Sequence, residues 1–95
     1  MIYKLKFFPT ALKEWNKLAP SIKSQFKKKL AERIKNPHVP SARLSNYHNV
    51  YKIKLHGAGY RLVYEVNDQE ITIYVIAVGK RSKGAVYGNL RNRMN

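Results

Sequence analysis

The chain reads as an α+β protein in the order β-α-α-β-β-β with a C-terminal helix. An antiparallel helical hairpin should pack on one face of a small, mostly antiparallel sheet. Three observations predict this. Apolar residues recur with helical spacing between residues 11 and 36. Three strand signals, separated by short turns, fill residues 49–78. Helices and strands thus segregate along the chain, which favours α+β over an alternating parallel fold. At 95 residues there is room for one domain, taken as 1–95, and for a single modest core.

Tyr3, Leu5 and Phe7 alternate with Lys4 and Lys6, the pattern of a half-buried strand that Pro9 should end. Thr10 is placed to cap a helix over 11–19 with Leu12, Trp15 and Leu18 on one face. Pro20-Ser21 interrupts it, and Ser21 should cap a second helix running to Asn36-Pro37. Its apolar residues, Ile22, Phe26, Leu30 and Ile34, are spaced by four. Two helices this closely joined predict a hairpin. Residues 37–48 carry two prolines and no period, so a long loop is expected, anchored by Leu44.

Strands are expected over 49–55, with Tyr51, Ile53 and Leu55 on one face, and over 60–66, with Leu62, Tyr64 and Val66 on one face. Gly57-Ala58-Gly59 turns between them. Asn67-Asp68-Gln69 should make a tight turn, because Asn and Asp tolerate its dihedrals. The stretch 70–78 is almost wholly apolar, as a central strand covered on both faces would be. The basic loop Gly79-Lys80-Arg81-Ser82-Lys83-Gly84 leads to a short helix through Met94 with Val86 and Leu90 on one side.

Charge is the unusual quantity. Lys and Arg number 19 against 5 acids, a net +14. Self-repulsion of this size is relieved by an anionic partner, and nucleic acid is the leading one. There is no Cys, which excludes disulfides and cysteine metal sites. His38, His48 and His56 have no metal-ligand spacing, so neither a metal site nor a cofactor is expected. No stretch is long enough to cross a bilayer, and the alternating N-terminus does not resemble a signal peptide. A cytoplasmic protein with no membrane partner is the expectation.

Strand parity gathers the cations. If Tyr51, Ile53 and Leu55 face the helices, Lys52 and Lys54 face the other way, and Arg61 joins them from the next strand. Like charges opposite one another are unfavourable in a sheet. Lys80 and Arg81 follow at the end of the last strand, and Tyr87 lies six residues beyond Arg81. A phosphodiester fits such a patch: Arg offers a planar fork to two oxygens and Tyr can stack on an exposed base. Catalysis there would be phosphoryl chemistry by electrostatic stabilisation. Crowding by Lys52, Arg61 and Arg81 would disfavour the charged form of Lys54, as a general base requires. The same patch is open to passive nucleic-acid binding or simple solvation. Lys27-Lys28-Lys29, Arg43, Lys80 and Lys83 are further candidates for contacting RNA or a ribosome.

The segments Ala11-Leu12-Lys13-Glu14-Trp15, Tyr51-Lys52-Ile53-Lys54-Leu55, Gly59-Tyr60-Arg61-Leu62-Val63-Tyr64 and Val78-Gly79-Lys80-Arg81, with Tyr87 after them, resemble the RelE family of type II toxin–antitoxin toxins. The resemblance spans almost the whole chain. It implies a metal-independent endoribonuclease that cuts mRNA in the A site of the 70S ribosome, by attack of a 2′-hydroxyl on its own phosphate. It implies Lys54 as general base, Arg81 as general acid or leaving-group stabiliser, Lys52 and Arg61 as phosphate holders, and Tyr87 as the stacking residue. A RelB-like antitoxin is the implied partner, masking or displacing the tail helix, with operator DNA bound only through that complex. ParE-like relatives of the same fold bind DNA gyrase and generally lack this set of four cations and a tyrosine. Ser82, Gly84, Ala85 and Gly88 depart from the expected tail, which bears on how Tyr87 is placed.

Overall fold

A computed structural model describes residues 2–55, 57–80 and 85–94. The element order is β1 (Lys4–Phe7), α1 (Pro9–Asn16), α2 (Pro20–Arg33), a 3-10 turn (Pro40–Ala42), β2 (Val50–Leu55), β3 (Tyr60–Asn67), β4 (Thr72–Lys80) and α3 (Ala85–Met94). The sheet runs β1-β4-β3-β2. β1 lies parallel to β4, and the other pairs are antiparallel. The α+β expectation and the element order hold.

Both helix starts are displaced from the sequence expectation. Phe8 and Ala19 are the N-caps, without side-chain cap bonds, and Pro9 and Pro20 occupy the first turn. Thr10 and Ser21 are therefore helical residues and not caps. The reason is that proline costs nothing at the first helical position, where its missing N–H would have no partner anyway. α2 ends at Arg33, three residues before the expected stop. In α1 the buried residues are Ala11 and Trp15, while Leu12 is 44% exposed.

One core lies between the sheet and the hairpin. Trp15 and Phe26 meet at 6.2 Å between ring centres, joining α1 to α2 over Leu30, Ile53, Leu62, Tyr64, Ile73 and Val75. Tyr51 stacks on Tyr64 at 5.7 Å. The loop expected from 37 to 48 is tied down by polar bonds. Tyr64 Oη donates to Pro37 O at 2.9 Å. His38 bridges Tyr51 Oη (3.1 Å) and Asp68 Oδ1 (2.9 Å), and Tyr3 Oη donates to the same carboxylate. Those bonds, Tyr3 foremost, hold the Asp68 carboxyl below its usual range. Ala42 shares the anchoring expected of Leu44: it is the buried residue, while Leu44 is half-buried and its N–H donates to Val50 O.

The second core lies on the opposite sheet face. Val50, Val63, Ile76 and Ala77 pack against Val86 and Leu90 of α3. α3 covers the centre of this face. An irregularity in the β3–β4 register places Ile76 beside Ala77 on the α3 side, while Val75 and Val78 join the first core. β4 is thus buried on both faces, as its composition predicts. It spans Thr72–Lys80 and not 70–78, because Glu70 and Ile71 belong to the preceding turn. There Ile71, not Asn67 or Asp68, takes the positive φ of 53°. Gly79, read as a turn residue, is a strand residue. A Cβ there would stand 3.0 Å from Val86 Cγ2, so its lack of a side chain lets α3 approach β4.

Candidate active site

The α3-facing side of β2 and β3 carries the cationic row. Lys54 and Arg61 are direct cross-strand partners, and Lys52 is opposite Val63, one alternation away. Parity therefore brings Lys52, Lys54 and Arg61 to one face. Arg61 is 6% exposed, and its Nη1 donates to Tyr60 O at 3.1 Å. A guanidinium held this way is preset in orientation, which is what an electrostatic site needs. Arg61 is also the register partner of Gly79, and β4 ends one residue later at Lys80. Arg81 and Lys83 lie outside the described residues.

Tyr87 is on α3, beside the buried stripe of Val86 and Leu90. It is half-buried and lines a cleft of about 200 Å³ with Leu44, Ser45, Asn46, Tyr47, Leu90 and Arg91. Val50 lies beneath in the same apolar cluster, and Lys52 and Lys54 continue the same strand face. The helix thus delivers an aromatic ring to the face that holds the cations.

The position of α3 depends on a residue the sequence reading passed over. Glu14 of α1 accepts from Val78 N–H (3.1 Å), Asn89 Nδ2 (3.1 Å) and both terminal nitrogens of Arg93 (2.9 and 3.2 Å). Arg93 Nη1 also donates to Ile76 O at 2.6 Å. One carboxylate thereby fastens α3 to α1 and β4. Its scarcity was the available signal, since Glu14 is one of 5 acids.

The remaining cations do not form one patch. Lys80 points to the helix-hairpin side, its Nζ 5.8 Å from the Tyr60 ring centre, and so leaves the row that it follows in sequence. Lys27, Lys28 and Lys29 are exposed but spread around α2. Lys27 borders an apolar groove with Leu5, Trp15 and Ile34, while Lys29 lines a cavity with Lys52 and Lys54. The physical reason is the turn of the helix, which rotates successive residues by about 100°. Arg43 Nη1 donates to Tyr47 O at 2.9 Å and supports the loop beside Tyr87.

The acids sit away from the row's Lys54–Arg61 end. Glu65, Asp68 and Glu70 cluster where β3 turns into β4. Burial pushes the Glu65 carboxyl above its usual range, so folding favours its neutral form. That contribution is full below the unfolded pKa and is lost as pH rises through the folded one. Glu65→Gln is accordingly expected to raise the melting temperature at pH 7 and to change it little at pH 4, measured by calorimetry at both. Among the described residues no group of three or more His, Cys, Asp or Glu is arranged to hold a metal, and no helix is long and apolar enough to cross a membrane.

The structure is a small basic sheet that sets a cationic row on the face crossed by a tyrosine-bearing helix. Comparison with known proteins gives its family. Residues 5–84 match the family model described as the ParE toxin of type II toxin–antitoxin systems, parDE. The chain is 50% identical over 94 residues to a putative RelE-like toxin protein of Escherichia coli and 44% identical to the mRNA interferase toxin RelE of strain K12, covering 99% of each chain in both cases. A free-state double mutant of the E. coli toxin RelE superposes with a TM-score of 0.92 at 42% identity, covering all of both chains. RelE in the intact E. coli RelBE toxin–antitoxin complex gives 0.81 at 46% identity, covering 82% of this chain and 95% of that one. The chain belongs to the RelE/ParE family of type II toxin–antitoxin toxins.

Proposed function

We propose that this protein is the toxin of a type II toxin–antitoxin pair and acts as a ribosome-dependent endoribonuclease on mRNA in the A site. The observation that carries the reading is the convergence of Lys52, Lys54 and Arg61 on one sheet face, in a chain 44% identical end to end to an mRNA interferase. In this reading Lys54 takes the proton from the 2′-hydroxyl, whose oxygen attacks the adjacent phosphorus. The bond to the 5′-oxygen breaks, leaving a 2′,3′-cyclic phosphate and a 5′-hydroxyl. Lys52 and Arg61 neutralise the charge that builds on the phosphate oxygens. Arg81 stabilises the leaving 5′-oxygen, which takes a proton from solvent to become the hydroxyl while Lys54 returns its proton to solvent, and Tyr87 stacks on a base to orient the chain. A guanidinium gives up its proton reluctantly, so charge stabilisation is the larger part of the Arg81 role.

The antitoxin partner is a RelB-like chain, and operator DNA is reached only through that complex. The basic surface outside the row docks on ribosomal RNA in the cytoplasm, with the steep salt dependence that phosphate contacts bring.

The test is 5′-end mapping of a message in a purified translation system, with and without ribosomes. Cuts at a fixed position within the A-site codon, present only with ribosomes, are the expected result. An intact message with translation arrested would replace catalysis by passive binding. An intact message with gyrase inhibited would favour a ParE-like action, which the family model's name keeps in view.

A further inference from the structure

On the outer edge of β2, away from α3, lies a cavity of about 290 Å³ lined by Lys29 and Arg33 of α2, Ser41 of the 3-10 turn, Ala42, and Lys52, Ile53 and Lys54. This is close to the lower end of ordinary small-ligand sites, roughly 300 Å³. Among the described residues, four cations and a hydroxyl line it and no carboxylate does. We infer that this cavity binds a backbone phosphate of the RNA substrate next to the one that is cut, with Lys29, Arg33 and Ser41 as its own donors and Lys52 and Lys54 shared with the cationic row. The inference rests on the endoribonuclease reading and extends it by one subsite.

Three features support it. Lys29 and Arg33 are four residues apart on one face of α2, an arrangement that repels unless an anion sits between or beside them. Arg33 is fixed in place: its Nη1 donates to Lys52 O at 3.2 Å and Tyr64 Oη at 2.8 Å, and the guanidinium sits 5.7 Å from the Tyr64 ring centre. That structural role accounts for Arg33, but not for the convergence of Lys29, Ser41, Lys52 and Lys54 beside it. Finally, the cavity and the row share two lysines, about 6.6 Å apart along β2 at two residues' rise. Anions held at the cavity and on the row would lie on either side of a single strand, which suits successive phosphates of one chain better than two unrelated ions.

Lys29 and Ser41 are both exposed, so Lys29→Ala, Ser41→Ala and the double variant should fold, and an amide NMR spectrum checks this. On message-programmed ribosomes each single variant should raise KM about fivefold, and Lys29→Ala should flatten the log–log salt slope by roughly 0.7, the single-strand value for one lost cationic contact, while Ser41→Ala leaves the slope unchanged. kcat should move less than KM, and affinity for message-free ribosomes should fall far less than KM rises. An unchanged KM, or an equal loss on message-free ribosomes, would overturn the assignment, the latter by making ribosomal RNA the occupant. Independently, inorganic phosphate titrated into the free protein should shift amides at 29, 33, 41 and 52–54, and the double variant should lose those shifts. Shifts spread evenly over the surface lysines would remove the site. If the wild-type protein cuts no message, the endoribonuclease reading fails and the message assignment falls with it; the phosphate titration still decides whether the cavity is an anion site.

Discussion

Lys54→Met should lower the rate of message cleavage by about 10²–10⁴-fold, the usual span for losing a positioned acid or base. KM on programmed ribosomes should rise far less than kcat falls. Lys54 faces Arg61 across the strands and stands two residues from Lys52, so the variant removes one member of a fixed cationic set without disturbing either apolar core. Lys54→Arg separates the two ways the residue can act. It keeps the charge and gives up the titratable amine, since Arg stays protonated throughout the working range. Activity close to wild type in Lys54→Arg would mean that the residue supplies charge only and that the proton goes elsewhere. Loss as deep as in Lys54→Met, with a wild-type log kcat that climbs with pH to a plateau, supports the base. Arg81→Ala belongs to the same experiment: cleavage should fall steeply while ribosome binding survives, and loss of binding would count against its assigned role.

Glu14→Ala should cost about 2–4 kcal/mol. Hydrogen bonds to a charged group are worth about 1.5–3 kcal/mol, and stripping one partner from a buried ion pair costs about 3–5 kcal/mol. The intermediate figure follows because the side chains of Arg93 and Glu14 are 18% and 25% exposed. For a chain of this size the melting temperature should fall by roughly 10–20 °C. The functional effect has a separate readout. Glu14 touches none of the cationic row, yet it fixes the helix that carries Tyr87, so kcat should drop at temperatures where the variant is still folded. Glu14→Gln, which can still accept from Val78 N–H and Asn89 but carries no charge opposite Arg93, should recover part of both losses. A Glu14→Ala protein of wild-type stability would mean that Val86 and Leu90 hold α3 unaided.

The contrast between these two sites shows where sequence reasoning succeeds. The row of Lys52, Lys54 and Arg61 is set by a period of two within strands whose other faces are apolar, so their sidedness could be read without a structure. The hairpin, the three antiparallel strands and the span of the last helix follow from equally local patterns. Each of those signals is carried by neighbours along the chain, and the burial of one face enforces it.

What needed the tertiary structure is whatever depends on residues far apart. Nothing near Glu14 announces that Arg93 will meet it, because the pair forms only when α3 folds back across β4. The cover that α3 gives to the sheet face depends on Gly79 letting Val86 approach, and a glycine in sequence looks the same in a strand as in a turn. Lys80 follows the row in sequence but leaves it in space, since the face of a residue at a strand end depends on the register of its neighbours. The cavity at the edge of β2 brings α2, the 3-10 turn and the strand together. Local periodicity decides which side of an element a residue occupies. Packing between elements decides what that side meets.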